Sequence, residues 1–183
     1  MHIIVDAMGG DDAPRAVVEG CVLAAKRLDV TLTLVGREAE IQQELKRCGY
    51  RGDRIRVVHA AEVIGSGEDP MKGIKKKDSS MRRALTMLKN DEGDVAVSAG
   101  NTGALISGAT LLVKRIPGVR RVALAPVMPT SKGCFLLVDA GANAECTPAF
   151  SSVALYIFKT VCHYGFDLYG IDHESEKPPC TAD

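Results

Sequence analysis

Apolar and polar positions along this chain switch repeatedly between the two periods that distinguish strands from helices. "HIIVDAM" (2–8) is an apolar run that ends at Gly9-Gly10. "PRAVVEGCVLAAKRL" (14–28) then repeats apolar residues at helical spacing, with Val17, Cys21, Ala24, Ala25 and Leu28 on one face and Pro14 suited to the first turn. "VTLTLVG" (30–36) predicts a second strand, "EAEIQQELKRCG" (38–49) a helix with Ile41, Leu45 and Cys48 inward, and "RIRVVHA" (54–60) a third strand. Residues 61–80 are rich in glycine and charge and show little periodicity, which predicts a long loop or a short excursion of the kind that often carries function. "SMRRALTMLKN" (80–90) is a helix with Met81, Leu85 and Leu88 inward, "DVAVS" (94–98) a buried strand, and a further helix runs from about Thr102 to Lys114.

Past Pro117-Gly118 the pattern changes. "VALAPVM" (122–128) and "CFLLVDAG" (134–141) read as strands joined through "PTSKG", a connection short enough to imply a hairpin or an antiparallel excursion. Phe150, Val153, Ala154, Ile157 and Val161 mark a last helix, and the residues beyond Gly165 read as a frayed polar tail. The expected organisation is an α/β domain over 1–150, followed by a helical segment and a divergent tail over 151–183. Alternation of this kind implies a mostly parallel sheet, in which ligands bind at the carboxyl ends of the strands.

Composition narrows the choices. Lys+Arg and Asp+Glu both number 23, so no global field draws the chain to nucleic acid, and any anion site must be local. No apolar run reaches the 18 or so residues that span a bilayer. The amino terminus has acidic residues directly after its first apolar run and does not read as a signal peptide, so the expected compartment is the cytoplasm. The six cysteines and four histidines are dispersed without ligand spacing, which argues against a metal centre. Cys21 and Cys48 read as small buried hydrophobes on helix faces.

Three strand ends share one character: "VDAMGGDD" (5–12), "VSAGNTGA" (97–104) and "VDAGANAE" (138–145). Each leaves an apolar run through a glycine-containing turn beside Asp, Ser or Asn. Glycine lets backbone approach a ligand closely, and the amides that open a following helix suit an anion. Glycines also make plain tight turns, but three such ends together favour a phosphate site. In "SAGNTG", Asn101 or Thr102 is the helix cap, while the Ser98 and Thr102 hydroxyls and the Asn101 amide are potential phosphate donors. Asp6 and Asp11 either orient donors or serve ordinary turn chemistry. Asn143 is a candidate carbonyl-polarising donor beside Asp139. Lys72, Lys75, Lys76 and Lys77 form either a solvated face or a landing place for an acidic partner. The nucleotide fingerprints are missing: "GSGEDP" (65–70) has Pro70 where the third glycine of G-x-G-x-x-G belongs, and no P-loop, serine elbow or H-E-x-x-H motif occurs.

"VDAMGGDDAP", "IKKKDSSMRRAL", "VSAGNTGAL", "ALAPVMPT" and "LLVDAGANAEC", in this order and spacing, resemble the bacterial phosphate acyltransferases of phospholipid synthesis. The resemblance covers about residues 2–150 and corresponds to the amino-terminal part of that family. It implies a three-layer α/β sandwich of the isopropylmalate-dehydrogenase and phosphotransacetylase type, acting as a homodimer. The implied enzyme is cytosolic, loosely associated with the membrane, and moves a fatty acyl group from acyl carrier protein to inorganic phosphate to give acyl phosphate. It needs neither metal nor cofactor. By implication Asn101, Asn143 and Asp139 are catalytic, Ser98, Gly100, Thr102 and Gly103 bind phosphate, Asp6, Gly9, Gly10 and Asp11 line the cleft, and Lys72 with Lys75 to Lys77 meets the carrier protein. Two alternatives stand beside this: a short-chain phosphotransacetylase using coenzyme A, and a truncated, inactive phosphate-binding or interaction domain.

Overall fold

Four apolar runs from the first part of the chain pair into one parallel sheet. β1 (His2–Asp6), β2 (Thr31–Gly36), β3 (Ile55–His59) and β4 (Val95–Val97) lie in the order β3-β2-β1-β4. The register sets Val5 beside Leu34 on one side and Val97 on the other. Parallel neighbours need crossover connections. α1 (Arg15–Arg27) and α2 (Glu38–Arg47) supply the first two, and α3 (Pro70–Gly73) with α4 (Ser80–Lys89) lies on the third. The computed structural model describes residues 1–115, 122–130 and 133–137.

Side chains alternate across the sheet, so both faces are apolar and both are covered. Val5, Leu32 and Leu34 pack against Val18, Cys21, Val22 and Ala25 of α1 and against Ile41 and Leu45 of α2. On the other face Ile4 and Val35 meet Ala60 and, from α4, Ala84 and Met87. The result is the helix–sheet–helix layering of an α/β fold. A third cluster, Ile64, Ile74, Met81, Leu85 and Ala104, fastens the chain after β3 to α4 and to α5 (Thr102–Gly108), which continues as a π-helical turn over Ala109–Val113.

Three local expectations need correction. The buried stripe of α1 is Val18, Cys21, Val22 and Ala25, whereas Leu28 is exposed because it caps the helix in an extended conformation and leaves the stripe. The strand in "DVAVS" is not fully buried. Val95 and Val97 are 37% and 49% exposed, because among the described residues β4 is an edge strand, and only Ala96 turns into a packed cluster. The segment 61–80 is less irregular than its pattern suggests. Glu62 and Ser79 form a parallel bridge, and Asp69 caps α3 by accepting the Lys72 amide hydrogen at 2.8 Å, with Pro70 in the first turn. Cys21 does behave as a core residue. Burial pushes its thiol up to about 11, which leaves it protonated at neutral pH.

Residues Met1–Arg115 form one compact unit and Ile116–Asp183 a second. In the second, β5 (Val127–Thr130) and β6 (Gly133–Leu136) pair antiparallel with Val127 opposite Leu136, the hairpin expected from the short "PTSKG" connection. The boundary at 150, the last helical pattern and the polar tail lie outside the described residues. No helix among the described residues is long and apolar enough to cross a membrane.

Candidate functional site

The chain places β2 on one side of β1 and β4 on the other, so the direction of winding reverses at β1. A parallel sheet opens a crevice at such a point, outside the carboxyl ends of the two strands. A cleft of about 290 Å³ lies there. Met8, Gly10 and Asp11 line it from the turn after β1, Ala99 and Gly100 from the turn after β4, and Val63, Ile64, Gly65 and Ser66 from the loop after β3.

Beneath the cleft the two glycine turns are pressed together. A Cβ on Gly9 would stand 2.8 Å from Asp6 Oδ2, from Ser98 Oγ and from the Gly100 nitrogen, so no larger residue fits without displacing them. Asp6 is buried, and its Oδ2 accepts the Ser98 hydroxyl at 2.7 Å while Oδ1 accepts the Met8 amide hydrogen at 3.2 Å. Ser98 Oγ in turn accepts the Gly100 amide hydrogen at 3.1 Å. This chain of carboxylate, hydroxyl and amide bolts the end of β1 to the end of β4. Gly10 has φ +107°, a conformation that residues with a side chain rarely adopt.

One side chain holds the loop after β3 against these turns, and a second braces the loop from within. Asn101 caps α5, its Oδ1 accepting the Ala104 amide hydrogen at 2.9 Å. Its Nδ2 donates to the carbonyls of Gly65 at 3.1 Å, Ser66 at 3.2 Å and Glu68 at 2.9 Å. Lys76 Nζ donates to the Val63 carbonyl at 3.1 Å and to Glu68 Oε2 at 2.7 Å. Glu68 Oε2 also accepts the Gly65 amide hydrogen at 3.2 Å. The hydrogen bond from Lys76, followed by that from Gly65, holds the Glu68 carboxyl below its ordinary range. A depressed folded-state pKa means that this fastening is complete above the ordinary glutamate pKa and is lost as pH falls through the lower, folded value. The Glu68 side-chain titration, followed by carboxyl NMR, is expected to lie below that of an ordinary glutamate, and Lys76→Met to move it back up.

The structure therefore sorts the candidate residues into different duties. Gly10, Asp11 and Gly100 line the cleft, and Asp6, Gly9 and Ser98 join the two turns that carry them. Ser98 and Asn101, expected to offer hydrogen bonds to phosphate, already spend them inside the fold, because each ties two chain segments together. Thr102 is exposed at the start of α5, and Gly103 packs against Pro70. Lys76 is committed to the loop, whereas Lys72, Lys75 and Lys77 are exposed and form no ion pair among the described residues. Asp139 and Asn143 lie outside the described residues. Met8, Ala99 and the stretch 63–66 were not singled out from sequence. For 63–66 the signal is the "GSG" that follows the apolar pair Val63-Ile64, which as a motif is only an incomplete nucleotide fingerprint. Among the described residues, no group of three or more His, Cys, Asp or Glu side chains is placed to hold a metal ion.

Comparison with known proteins adds to this geometry. The family described as "Fatty acid synthesis protein" matches residues 1–153. A phosphate acyltransferase from Clostridium kluyveri is 48% identical over 151 residues, which is 82% of this chain and 45% of that protein. One from Alkaliphilus oremlandii is 49% identical over 149 residues, 81% of this chain and 44% of its own length. This chain thus spans less than half the length of the curated relatives it matches. Among solved structures, the EutD phosphotransacetylase from Staphylococcus aureus superposes with a TM-score of 0.64 at 17% identity, covering 90% of this chain and 54% of that one. That likeness confirms the fold.

Proposed function

We propose a function from one premise: this chain belongs to the fatty acid synthesis protein family, and its cleft seats the inorganic phosphate that receives an acyl group. The observation that carries the reading is the cleft itself, set at the reversal of the sheet and walled by two glycine turns and the loop after β3. In the reaction, a phosphate oxygen attacks the carbonyl carbon of an acyl thioester. The C–O bond forms, the C–S bond breaks, and the thiol leaves with the proton given up by hydrogen phosphate. Phosphate is its own nucleophile, so the protein needs no activated serine or cysteine. Its task is to hold phosphate in line with the carbonyl and to offer donors to the charge that develops.

The residues suit that task. The amides of Gly10 and Asp11 have no hydrogen-bond partner among the described residues and stand at the cleft. The Asp11 carboxylate is an acceptor that fits a protonated phosphate oxygen, leaving an unprotonated one to attack. Asp139 and Asn143, whose sequence context matches that of the β1 and β4 turns, are proposed as further catalytic residues. The thioester donor is proposed to be an acyl carrier protein, because an acidic carrier complements the exposed Lys72, Lys75 and Lys77. Homodimer formation, cytoplasmic location with loose membrane contact, and a place in phospholipid synthesis belong to the same reading.

The test supplies isotopically labelled phosphate together with either palmitoyl-carrier protein or acetyl-coenzyme A, and looks for acyl phosphate by mass spectrometry. Labelled palmitoyl phosphate from the carrier-protein thioester is the expected product. Acetyl phosphate formed in preference would assign the chain to short-chain chemistry. Phosphate binding with no product from either donor would leave it a binding domain.

A further inference from the structure

We infer that the part of the loop after β3 that lines the cleft at Gly65 and Ser66 grips phosphate, with Ser66 donating its hydroxyl and amide hydrogens to the anion and Asn101 acting as the positioning residue that turns them outward. This rests on the reading of the cleft as a phosphate seat.

The inference follows from where hydrogen bonds are already spent. On the β4 side, the Gly100 amide donates to Ser98 Oγ, and both hydrogens of the Asn101 amide go to the loop. Those groups cannot also serve an anion. In the loop the arrangement is reversed. The Gly65, Ser66 and Glu68 carbonyls converge on Asn101 Nδ2. A trans peptide points its N–H opposite to its C=O, and the only cis bond in the described chain is Ala13-Pro14. With the Gly65 and Ser66 carbonyls drawn inward, the N–H groups of Ser66 and Gly67 must face away from Asn101.

Neither amide nor the Ser66 hydroxyl has a partner among the described residues, and Ser66 is exposed on the cleft. Two consecutive amides and a hydroxyl form a concave donor set of the kind that backbone turns offer to phosphate. Gly67 keeps the approach open, since nothing lies within 4 Å of where its Cβ would be. Asn101 touches no substrate in this arrangement and acts through the loop it orients.

The test is calorimetric titration of inorganic phosphate into the 183-residue chain and three variants. Ser66→Ala removes an exposed, unpaired hydroxyl, so the melting temperature should not move, while phosphate affinity falls about tenfold, as for a lost hydrogen bond to a charged group. Asn101→Ser keeps a capping oxygen but releases the three carbonyls, and affinity should fall at least as far. If Asn101 works through the loop, the double variant binds no more weakly than Asn101→Ser alone. Additive losses in the double variant would overturn the positioning role of Asn101. Unchanged affinity in Ser66→Ala would overturn the inference while phosphate binding by the unaltered chain kept the functional reading intact. No phosphate binding by the unaltered chain would remove both.

Discussion

Gly9→Ala is expected to destabilise the protein by about 2–3 kcal/mol, the upper part of the range for overpacking, and to abolish phosphate binding. The new methyl group would lie 2.8 Å from three polar atoms, Asp6 Oδ2, Ser98 Oγ and the Gly100 nitrogen. None of these is the free end of a flexible side chain. Asp6 is buried and hydrogen-bonded on both oxygens, and the Gly100 nitrogen is backbone. Relief requires the two turns to part, which breaks the link from Ser98 to Asp6 and moves the cleft-lining residues on both sides. Urea denaturation reads the stability change and calorimetry the binding. Gly67→Ala is the contrasting substitution, because open space surrounds that position, and it should leave stability within about 0.5 kcal/mol of the original, as for an ordinary surface change.

Asn101→Asp is the second large effect, expected to cost about 3 kcal/mol or more. The substitution keeps the oxygen that caps α5 but replaces a donor to three carbonyls by a carboxylate oxygen facing them. Each lost hydrogen bond contributes roughly 1 kcal/mol, and a buried charge set against acceptors adds a further penalty. The sign has a pH signature. The folded state raises the pKa of the new carboxyl, because its neutral form can donate one hydrogen bond to the loop. The unfolded state then gives up its proton at lower pH, so the variant should regain stability as pH falls toward the ordinary aspartate range. Chemical denaturation at several pH values reads this directly, and a deficit that stays constant with pH would refute the clasp.

Much of the architecture was legible from the chain because parallel strands buried on both faces read as short continuous apolar runs. "HIIVDAM" and "VTLTLVG" become the two interior strands and "RIRVVHA" a less buried one at the edge among the described residues, and the helices that follow the second and third runs repeat Ile41 and Leu45, or Met81 and Leu85, at core spacing. The edge position that β4 holds among the described residues was not legible, since "DVAVS" has the same composition as an interior strand and only the strand order exposes Val95 and Val97. The site was legible as a place and less so as a set of roles. Of the glycines in the strand-end turns, Gly10 and Gly100 lie on the cleft. Composition could not say whether a polar side chain in such a turn faces a ligand or another segment. Ser98 and Asn101 have the chemistry of phosphate donors, yet they satisfy partners 92 and 36 residues away in sequence. Such long-range commitments leave no local periodicity to read. Ser66 escaped notice for the complementary reason: its importance comes from what Asn101 does to its loop.

The most direct measurement of the central claim is a titration of inorganic phosphate into the isotopically labelled chain, followed by the backbone amide resonances. A phosphate seat at the strand ends requires the largest shifts at Gly10, Asp11, Ser66 and Gly67, saturating together with one binding constant. Shifts confined to Lys72, Lys75 and Lys77, with those four amides unmoved, would contradict it.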